Sequence, residues 1–288
     1  MGWTMNWNTM NRNKSRDRVT IISSRGDPAS VNIAEKLKSM GEWTVVEDAS
    51  LTISTYSRFT LVEMDEYHIY QDGIDTRLEE CNIKSSLIIF ASKHRSKDGR
   101  KILTVHPTGN TGEPMLGGRA RELAIPAPLA MRDLLHGLKR RSLETEFEAT
   151  LEATHHGPTM LHTPSLYIEI GSGEEEWIDD RAGEIVAEAI LALQSQVVPV
   201  AVGFGGGHYV PRETKLTLEA EVAFGHMFPN YQLERLDKEM IREAFLKSGA
   251  DFGYIDRKAM RARERNELIE TINDLGYRVL REKEIRGI

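Results

Sequence analysis

The chain has 288 residues, of which 40% are hydrophobic and 28% are charged, enough apolar material for a substantial core beneath a polar surface. Its 37 basic and 44 acidic residues give a formal net charge of −7, the wrong sign for a protein that coats nucleic acid through its overall charge. The lone Cys81 excludes an intrachain disulfide and a cysteine-based zinc site, and it favours a reducing compartment, which we expect to be the cytoplasm.

The N-terminal segment and the hydropathy pattern set the expected domain organisation. Residues 1–17 are polar and contain no apolar signal-peptide core, so we predict a disordered N-terminal extension. No apolar run approaches the ~20 residues of a membrane-spanning helix, so no membrane association is expected. No repeat or low-complexity linker divides the remainder, and we predict a single α/β catalytic domain over residues 18–288.

The first predicted elements alternate between strand and helix. The β-branched run 19–23 predicts a strand, and Asp27 followed by Pro28 predicts the N-cap and first turn of a helix over 29–40. Further strands are predicted over 43–46, 59–62 and 87–91, the last of them buried on both faces. Such alternation indicates a largely parallel sheet covered by helices on both sides.

The rest of the chain combines one long loop with further periodic segments. Four glycines and Pro114 within residues 108–118 predict a loop. Residues 147–153 alternate apolar residues with Glu and Thr, which predicts a half-buried strand. Helices are predicted over 126–138, 178–193, 233–247 and 257–275, and strands over 102–105, 166–170, 197–202 and 277–280.

Histidines follow four of the predicted strands. His94, His106, the pair His155 and His156, and His208 each stand where a strand gives way to a loop. In open α/β sheets, ligands bind beyond the carboxyl ends of the strands, so the four positions together predict one binding site at a rim of the sheet. Adjacent residues on an extended strand point to opposite faces, so only one of the pair is expected to face that site.

A carboxylate and a glycine-rich run accompany the histidines. Glu169 lies inside an apolar strand, where it either pairs with a cation or faces outward from a half-exposed strand. The run 203–207 either presents backbone N–H groups to a developing oxyanion or forms a plain tight turn. Neither a Gly-x-Ser-x-Gly elbow nor a cysteine nucleophile is indicated, which favours attack by water. Zinc with an open coordination position or an unassisted histidine base would activate that water.

Five blocks of sequence, in this order, resemble the archaeal and plant D-aminoacyl-tRNA deacylase family: SKHRS at 92–96, LTVHPTGN at 103–110, HHGPT at 155–159, EIGS with EEEW at 169–177, and GFGGGHY with Pro211 at 203–211. The resemblance extends from about residue 19 to near the C-terminus. It implies a three-layer α/β/α fold of the phosphorylase/hydrolase type, with a mixed, mostly parallel sheet. It also implies a zinc-dependent hydrolase that cleaves the ester joining a D-amino acid to the 3′ end of tRNA.

These observations set the expected site residues. Catalysis is expected from His106, His156, His208 and Glu169, and zinc ligands from His94, His106, His156 and His208. Substrate contacts are expected from Lys93, Arg95, Thr108, Asn110, Thr159, Gly205, Gly206 and Gly207.

The expected partner is D-aminoacyl-tRNA, bound by a monomer that needs no other protein. Local basic clusters would contact its phosphates despite the negative net charge: residues 93–101, 139–141 and 257–265. Two alternatives stay open. One is a zinc-dependent peptidase or amidohydrolase of the same fold class, and the other is a non-catalytic tRNA-binding protein.

Overall fold

The computed structural model describes residues 18–48 and 51–288, and the predicted disordered extension 1–17 lies outside these ranges. The strands are β1 Val19–Ser24, β2 Thr44–Asp48, β3 Leu51–Tyr56, β4 Phe59–Met64, β5 Leu87–Lys93, β6 Ile102–His106, β7 Gly109–Asn110, β8 Glu122–Leu123, β9 Glu148–Leu151, β10 Ser165–Gly171, β11 Val200–Phe204, β12 Ala223–Phe228, β13 Phe252–Ile255 and β14 Arg278–Leu280. The helices are α1 Pro28–Ser39, α2 Ile74–Glu80, α3 Pro128–Arg141, α4 Glu174–Trp177, α5 Asp180–Leu191, α6 Pro211–Glu219, α7 Asn230–Leu233, α8 Lys238–Ser248, α9 Ala262–Asp274 and α10 Glu282–Ile285.

An eight-stranded sheet forms the centre of the molecule, in the order β2-β3-β4-β1-β5-β10-β6-β9. The inner strands β4, β1, β5 and β10 run parallel, whereas β6 and β9 run antiparallel to β10. Helices cover the sheet, so the predicted α/β class with a mixed, mostly parallel sheet is confirmed.

Consecutive residues of the central strands serve two different cores. Ile21 and Ile89 point to the side packed by α1, α3 and α5, and their neighbours Ile22 and Ile88 point to the side packed by α2. Alternation along a strand produces this two-sided burial, because adjacent Cβ atoms leave opposite faces. Each such fully buried side chain contributes about 1.5–3 kcal/mol relative to an exposed one.

Helix α1 begins as its sequence predicts. The Asp27 carboxylate accepts the amides of Ala29 and Ser30 at 3.0 and 3.1 Å, and Pro28 occupies the first helical position. The helix then packs against α5 at Gly183, where a Cβ atom would lie 2.2 Å from the Asn32 side chain. Glycine is therefore required for this close approach.

A second sheet, entirely parallel, has the order β12-β11-β13-β14, and the strands predicted over 197–202 and 277–280 correspond to its β11 and β14. The two strands that were not predicted, β12 and β13, each contain a glycine that weakens a strand pattern. Gly225 allows β12 to touch α8, since a Cβ there would lie 2.2 Å from the Ser248 hydroxyl. Within residues 18–48 and 51–288, no helix has the length and apolar character needed to cross a membrane.

Helix α6 carries a carboxyl group into the interior beside the second sheet. Glu213 is fully buried, packs against Gly203 of β11, and has no side-chain hydrogen-bond partner among the described residues. Burial raises the pKa of Glu213 to about 8. The folded protein therefore keeps this carboxyl protonated at a pH where the unfolded chain ionises it.

We expect Glu213→Gln to flatten the pH dependence of stability. Because the folded pKa exceeds the unfolded value, the contribution of Glu213 weakens as pH rises from about 4.5 to 8, by up to about 1.4 kcal/mol per pH unit. Urea unfolding at pH 5, 6.5 and 8 should show the variant gaining stability relative to wild type as pH increases. Glu219→Gln, on the exposed end of the same helix, is the control. A constant difference at all three pH values would contradict the assignment.

Candidate active site

Five of the nine histidines converge on one place in the fold. The ring centroids of His106 and His155 lie 4.2 Å apart, and that of His156 lies 4.4 Å from that of His155. His208 lies 4.7 Å from His155 and 6.2 Å from His94 by the same measure. Histidines that follow four different strands are thus brought together, as the sequence predicts.

The cluster lies over one face of the eight-stranded sheet. Because β5 runs parallel to β10 and β6 runs antiparallel to it, His94 and His106 reach the same place from opposite directions. Glu169 on β10 lies between them, level with Ser92 on β5 and Thr104 on β6. We expected His106 at the edge of the sheet where the carboxyl ends of parallel strands meet. That expectation is wrong, because β6 runs antiparallel to β10.

Three hydrogen bonds fix the backbone around His94. Its amide donates to the Ile170 carbonyl at 2.9 Å, and its carbonyl accepts the indole N–H of Trp177 at 2.8 Å. The amide of Lys93 donates to the Asp27 carboxylate at 3.1 Å. Since Asp27 also caps α1, one carboxylate holds both the start of that helix and the strand end that carries His94.

Two buried carboxylates lie among the imidazoles. Glu169 approaches Nδ1 of His94 at 3.5 Å and Nε2 of His106 at 3.6 Å. Glu152 approaches Nδ1 of His94 at 3.1 Å, Nε2 of His208 at 3.3 Å and Nε2 of His106 at 3.9 Å. The side chains of Glu152 and Glu169 are only 0% and 4% exposed, so imidazoles take the place of water around both.

Glu152 is the site residue that the sequence analysis missed. It follows β9, and the Glu and Thr side of that segment was expected to be the unburied one, yet Glu152 is fully buried. Helix α6 covers this side, where the Thr214 hydroxyl accepts the amide of Leu151 at 3.0 Å. The sequence could have indicated Glu152, because this carboxylate stands three residues before His155 in a segment already predicted to contribute histidines to the site.

His155 and His156 both line the site, so the expectation that only one does is wrong. β9 ends at Leu151, and His156 has a left-handed backbone with φ of 41°, so the pair does not belong to an extended strand. Gly157 permits the turn, because a Cβ there would lie 2.3 Å from the amide nitrogen of Gly118. The histidine loop therefore packs directly against the backbone of the 109–118 loop.

Hydrogen bonds define the tautomers of this histidine pair. Nδ1 of His155 lies 2.7 Å from the Ala153 carbonyl, and Nδ1 of His156 lies 2.7 Å from the Gly157 carbonyl. A carbonyl oxygen only accepts, so each Nδ1 carries the hydrogen and each Nε2 is the free acceptor of a neutral ring. Burial, followed by the charge of His106, lowers the pKa of His156 to about 4 and that of His155 well below its usual value.

The pKa values of the histidines next to the carboxylates are shifted upward. Burial alone lowers the pKa of His94, but Glu152 and Glu169 reverse this and raise it to about 11. Burial also opposes the charged form of His106, and Glu169 outweighs it, so this pKa is raised. Burial disfavours the charged form of both carboxylates, but the imidazoles outweigh it. Bonds from His208 and His94 hold the pKa of Glu152 well below its ordinary value. Bonds from His106 and His94 lower the pKa of Glu169.

An aromatic stack supports the cluster from the sheet. The Tyr167 ring stacks on His106 with centroids 5.2 Å apart and on Phe90 at 4.8 Å. The Tyr167 hydroxyl lies 3.4 Å from Nδ1 of His68, whose Nε2 lies 3.7 Å from the Asp27 carboxylate. Packing of this kind restricts the rotation of His106.

Two cavities meet at the histidine pair. The larger, of about 560 Å³, is lined by His94, Glu169, His208 and the pair itself, and Tyr67, Tyr70 and Leu116 stand around it with exposed fractions of 45%, 61% and 50%. The smaller, of about 180 Å³, is lined by Asn110, Leu116 and Gln232 together with the same two histidines. The cluster is therefore accessible from outside although His94 and His106 are buried.

The predicted basic contacts lie beside the larger cavity. Lys93 and Arg95 both line it, and their charged groups lie 5.3 and 5.6 Å from the ring centroid of Trp177. Such placement over an indole face orients a cation without neutralising it. Both side chains are thus available to an anionic ligand at the cavity.

Three other predicted contact residues make internal hydrogen bonds. The Thr108 hydroxyl donates to the Pro158 carbonyl at 2.7 Å, and the Thr159 hydroxyl accepts the Arg119 amide at 2.8 Å. The Asn110 amide group donates to the Arg119 carbonyl at 3.1 Å, although its residue does line the smaller cavity. These residues hold the loops that carry the histidine pair.

The glycine loop lies beside the site, and of its residues only His208, which follows the glycines, lines the larger cavity. Gly205 and Gly206 have φ of 107° and 77° and pack against Asp256. A Cβ atom at Gly207 would meet no other atom within 4 Å, and none of the three glycines lines either cavity. This arrangement matches the tight-turn alternative.

An α/β scaffold that holds imidazoles and carboxylates around an open cavity defines an enzyme site equipped for acid–base or metal chemistry. The family model described as D-aminoacyl-tRNA deacylase matches residues 81–280, and the chain belongs to that family. It is 49% identical over 283 residues to a D-aminoacyl-tRNA deacylase of Methanosarcina mazei, covering 95% of each chain. It is 39% identical over 273 residues to one of Pyrococcus furiosus, covering 91% of this chain and 99% of the relative.

A solved crystal structure, described as a conserved protein of unknown function, shares the fold. It superimposes with a TM-score of 0.89 at 37% identity and covers 94% of this chain and 98% of its own. The likeness therefore extends over both sheets of the described chain.

We expect Glu152→Ala to destabilise the metal-free protein by about 3–5 kcal/mol, because it leaves the charge of a buried imidazolium without its partner. Urea unfolding after chelator treatment measures the change. Glu148→Ala is the matched control, since that side chain lies on β9, the strand that leads to Glu152, and is 71% exposed, so its loss should cost less than about 0.5 kcal/mol. Equal losses in the two variants would show that Glu152 has no special role in the cluster.

Proposed function

We propose that this protein hydrolyses the ester between a D-amino acid and the 3′ end of tRNA, at the cluster formed by His94, His106, His155, His156 and His208. The observation that carries the proposal is the convergence of these imidazoles around Glu152 and Glu169, beside a cavity of about 560 Å³ that four of the five histidines line. Family membership supports the same substrate, because the relatives are named D-aminoacyl-tRNA deacylases.

The histidine pair supplies the proton acceptors in this proposal. Nε2 of His155 and of His156 are unprotonated because each Nδ1 donates to a backbone carbonyl. Both rings line the cavity, so either Nε2 can take a proton from water that attacks the ester carbonyl. After attack the C–O bond to the ribose breaks, the proton passes to the leaving hydroxyl, and the free D-amino acid departs.

The residues also fit a zinc ion, which we propose as the cofactor. His94, Glu152 and His208 offer three ligand atoms within 4.8 Å of one another, a His₂Glu set of the kind found in catalytic zinc sites. Both carboxylate oxygens of Glu152 are buried without a well-formed hydrogen bond, which leaves lone pairs for a cation. A zinc ion held there would supply Lewis acidity that activates water at neutral pH.

Substrate orientation would come from charge at the cavity. Lys93 and Arg95 lie beside it, and their side chains would contact the phosphate next to the terminal nucleoside. His106, buried beneath the histidine pair and paired with Glu169, would keep the pair in place and lower its basicity. Discrimination against L-amino acids would arise from a wall that an L side chain cannot pass.

The decisive assay compares matched D- and L-aminoacyl-tRNA before and after chelation. We expect the D-ester to be hydrolysed, the L-ester to be spared, and hydrolysis to be lost with the metal and restored by zinc. Metal analysis of the purified protein measures stoichiometry in parallel. Cleavage of a D-aminoacyl peptide with no action on either tRNA would favour the peptidase alternative, and tRNA binding without turnover would favour the binding protein.

We expect Glu169→Gln to lower kcat by about 10²-fold or more, a typical size for a lost acid–base component, with tRNA affinity retained. Its carboxylate contacts both the proposed zinc ligand His94 and the buried His106, so the neutral amide can neither raise the basicity of the ligand nor balance a charge on His106. His162→Ala is the control, because that histidine is 57% exposed and pairs with Asp75 away from the cluster. Single-turnover rates with labelled D-aminoacyl-tRNA test this, and equal rates for both variants would remove Glu169 from the mechanism.

A further inference from the structure

Three arginines from separate segments lie together at one edge of the second sheet. β13 and β14 run parallel, with Tyr254 level with Leu280, so Arg257 and Arg281 leave their strands at the same edge. Arg265 stands in the first turns of α9, which begins just after Arg257. Helix α9 packs against β14, the strand that leads to Arg281. The pKa of Arg257 is lowered by burial and then by the charges of Arg265 and Arg281, which agrees with both guanidinium groups lying near that of Arg257.

These three arginines lack the acidic partners that their neighbours have. Arg263, on the same helix as Arg265, pairs with Glu267 at 2.8 Å. Among the described residues, no carboxylate forms an ion pair with Arg257, Arg265 or Arg281. Nε of Arg265 is moreover buried without a hydrogen-bond partner.

Nearby carboxylates are engaged elsewhere. Glu282 pairs with Arg286 at 3.0 Å, and the Glu284 carboxylate accepts the backbone amide of Arg281 at 2.9 Å. The Asp256 carboxylate accepts the backbone amide of Lys258 at 3.1 Å. Three like charges gathered without counter-ions repel one another, and an anionic ligand would relieve that repulsion.

The arginine edge is continuous with the active site. The loop that ends in His208 packs on the segment after β13, since Gly205 touches Asp256. Asn230 joins the same two segments. Its backbone amide donates to the Gly206 carbonyl at 3.0 Å, and its side chain donates to the Ala259 carbonyl at 2.7 Å. β11 and β14 are separated by one strand, so their ends lie roughly 10 Å apart at the usual strand spacing. A chain of phosphates that enters the cavity can therefore reach this edge.

We propose that Arg257, Arg265 and Arg281 form a phosphodiester-binding site that holds the tRNA strand leading to the esterified 3′ end. The site rests on the proposed function and adds to it the place where the nucleic acid approaches. Guanidinium groups suit this ligand because each can donate two parallel hydrogen bonds to a phosphate. Such contacts position the backbone without reading its sequence, which fits an enzyme for many tRNAs.

The test compares the double variant Arg257→Gln/Arg281→Gln with Arg263→Gln, a control whose arginine is 89% exposed and already paired. Substrates are D-aminoacyl-tRNA and D-aminoacyl-adenosine, which has the same ester but no phosphate. For the tRNA we expect the double variant to raise KM roughly tenfold or more with kcat unchanged, as for the loss of charged hydrogen bonds. The slope of log Kd against log salt should fall by roughly 0.7 for each phosphate that the variant no longer binds. D-aminoacyl-adenosine should be cleaved equally by all three proteins.

The outcomes separate this inference from the proposed function. If the wild type cleaves neither ester, the proposed function fails. If the wild type cleaves D-aminoacyl-tRNA and the double variant matches Arg263→Gln in KM and salt slope, the phosphate site alone is overturned. A double variant impaired equally on both substrates would also overturn it, since the arginines would then act on the active site and not on phosphate. Suppression of tRNA binding by millimolar inorganic phosphate in the wild type, with little effect in the double variant, would support a site for phosphate groups.

Discussion

The structure depends on the compensation of two buried carboxylates by imidazoles that come from distant parts of the chain. Neither Glu152 nor Glu169 could remain ionised away from water without His94, His106 and His208 around them. Because Glu152 follows β9 of the large sheet and His208 follows β11 of the small one, the ion pair between them also joins the two sheets. The interaction that creates the site is therefore part of what sets the relative position of the sheets.

This arrangement divides chemically identical side chains into two functional kinds. Next to the carboxylates, His94 is stabilised as a cation, whereas His155 and His156, one ring further away, feel burial and the neighbouring positive charge and remain neutral. Backbone carbonyls then select which nitrogen of each neutral ring is the base. A proton acceptor and a cationic or metal-binding set thus lie within one cluster, separated only by their environments.

Sequence patterns predict the helices and strands whose apolar residues recur with a regular period, and the fold confirms those elements. α1 and α5 have clear apolar stripes and capping residues, and the buried strand β5 begins with the continuous apolar run 87–91. The missed features depend on tertiary contacts. Glu152 is indistinguishable from a solvent-facing strand residue until α6 covers it, and the pairing of His155 with His156 requires a turn that only the packing of Gly157 against Gly118 dictates. The direction of β6 relative to β10, which determines where His106 lies in the sheet, likewise cannot be predicted from local sequence.

The glycine loop 203–207, beside the small sheet, has a different structural role from the one that its composition suggests. Glycines at 205 and 206 serve the close approach to Asp256, and this contact ties the loop that presents His208 to the segment that presents Arg257. The left-handed backbone disfavours a side chain at both positions, and at Gly205 a Cβ atom would also lie only 3.2 Å from the Asp256 side chain. In a chain of net charge −7, nucleic acid can be held only where unpaired cations are concentrated. Arg257 and Arg281 follow the first and second strands beyond the one that leads to His208, so in the proposed arrangement the attraction for phosphate would act beside the histidine cluster, and the acidic remainder of the surface would disfavour other modes of binding.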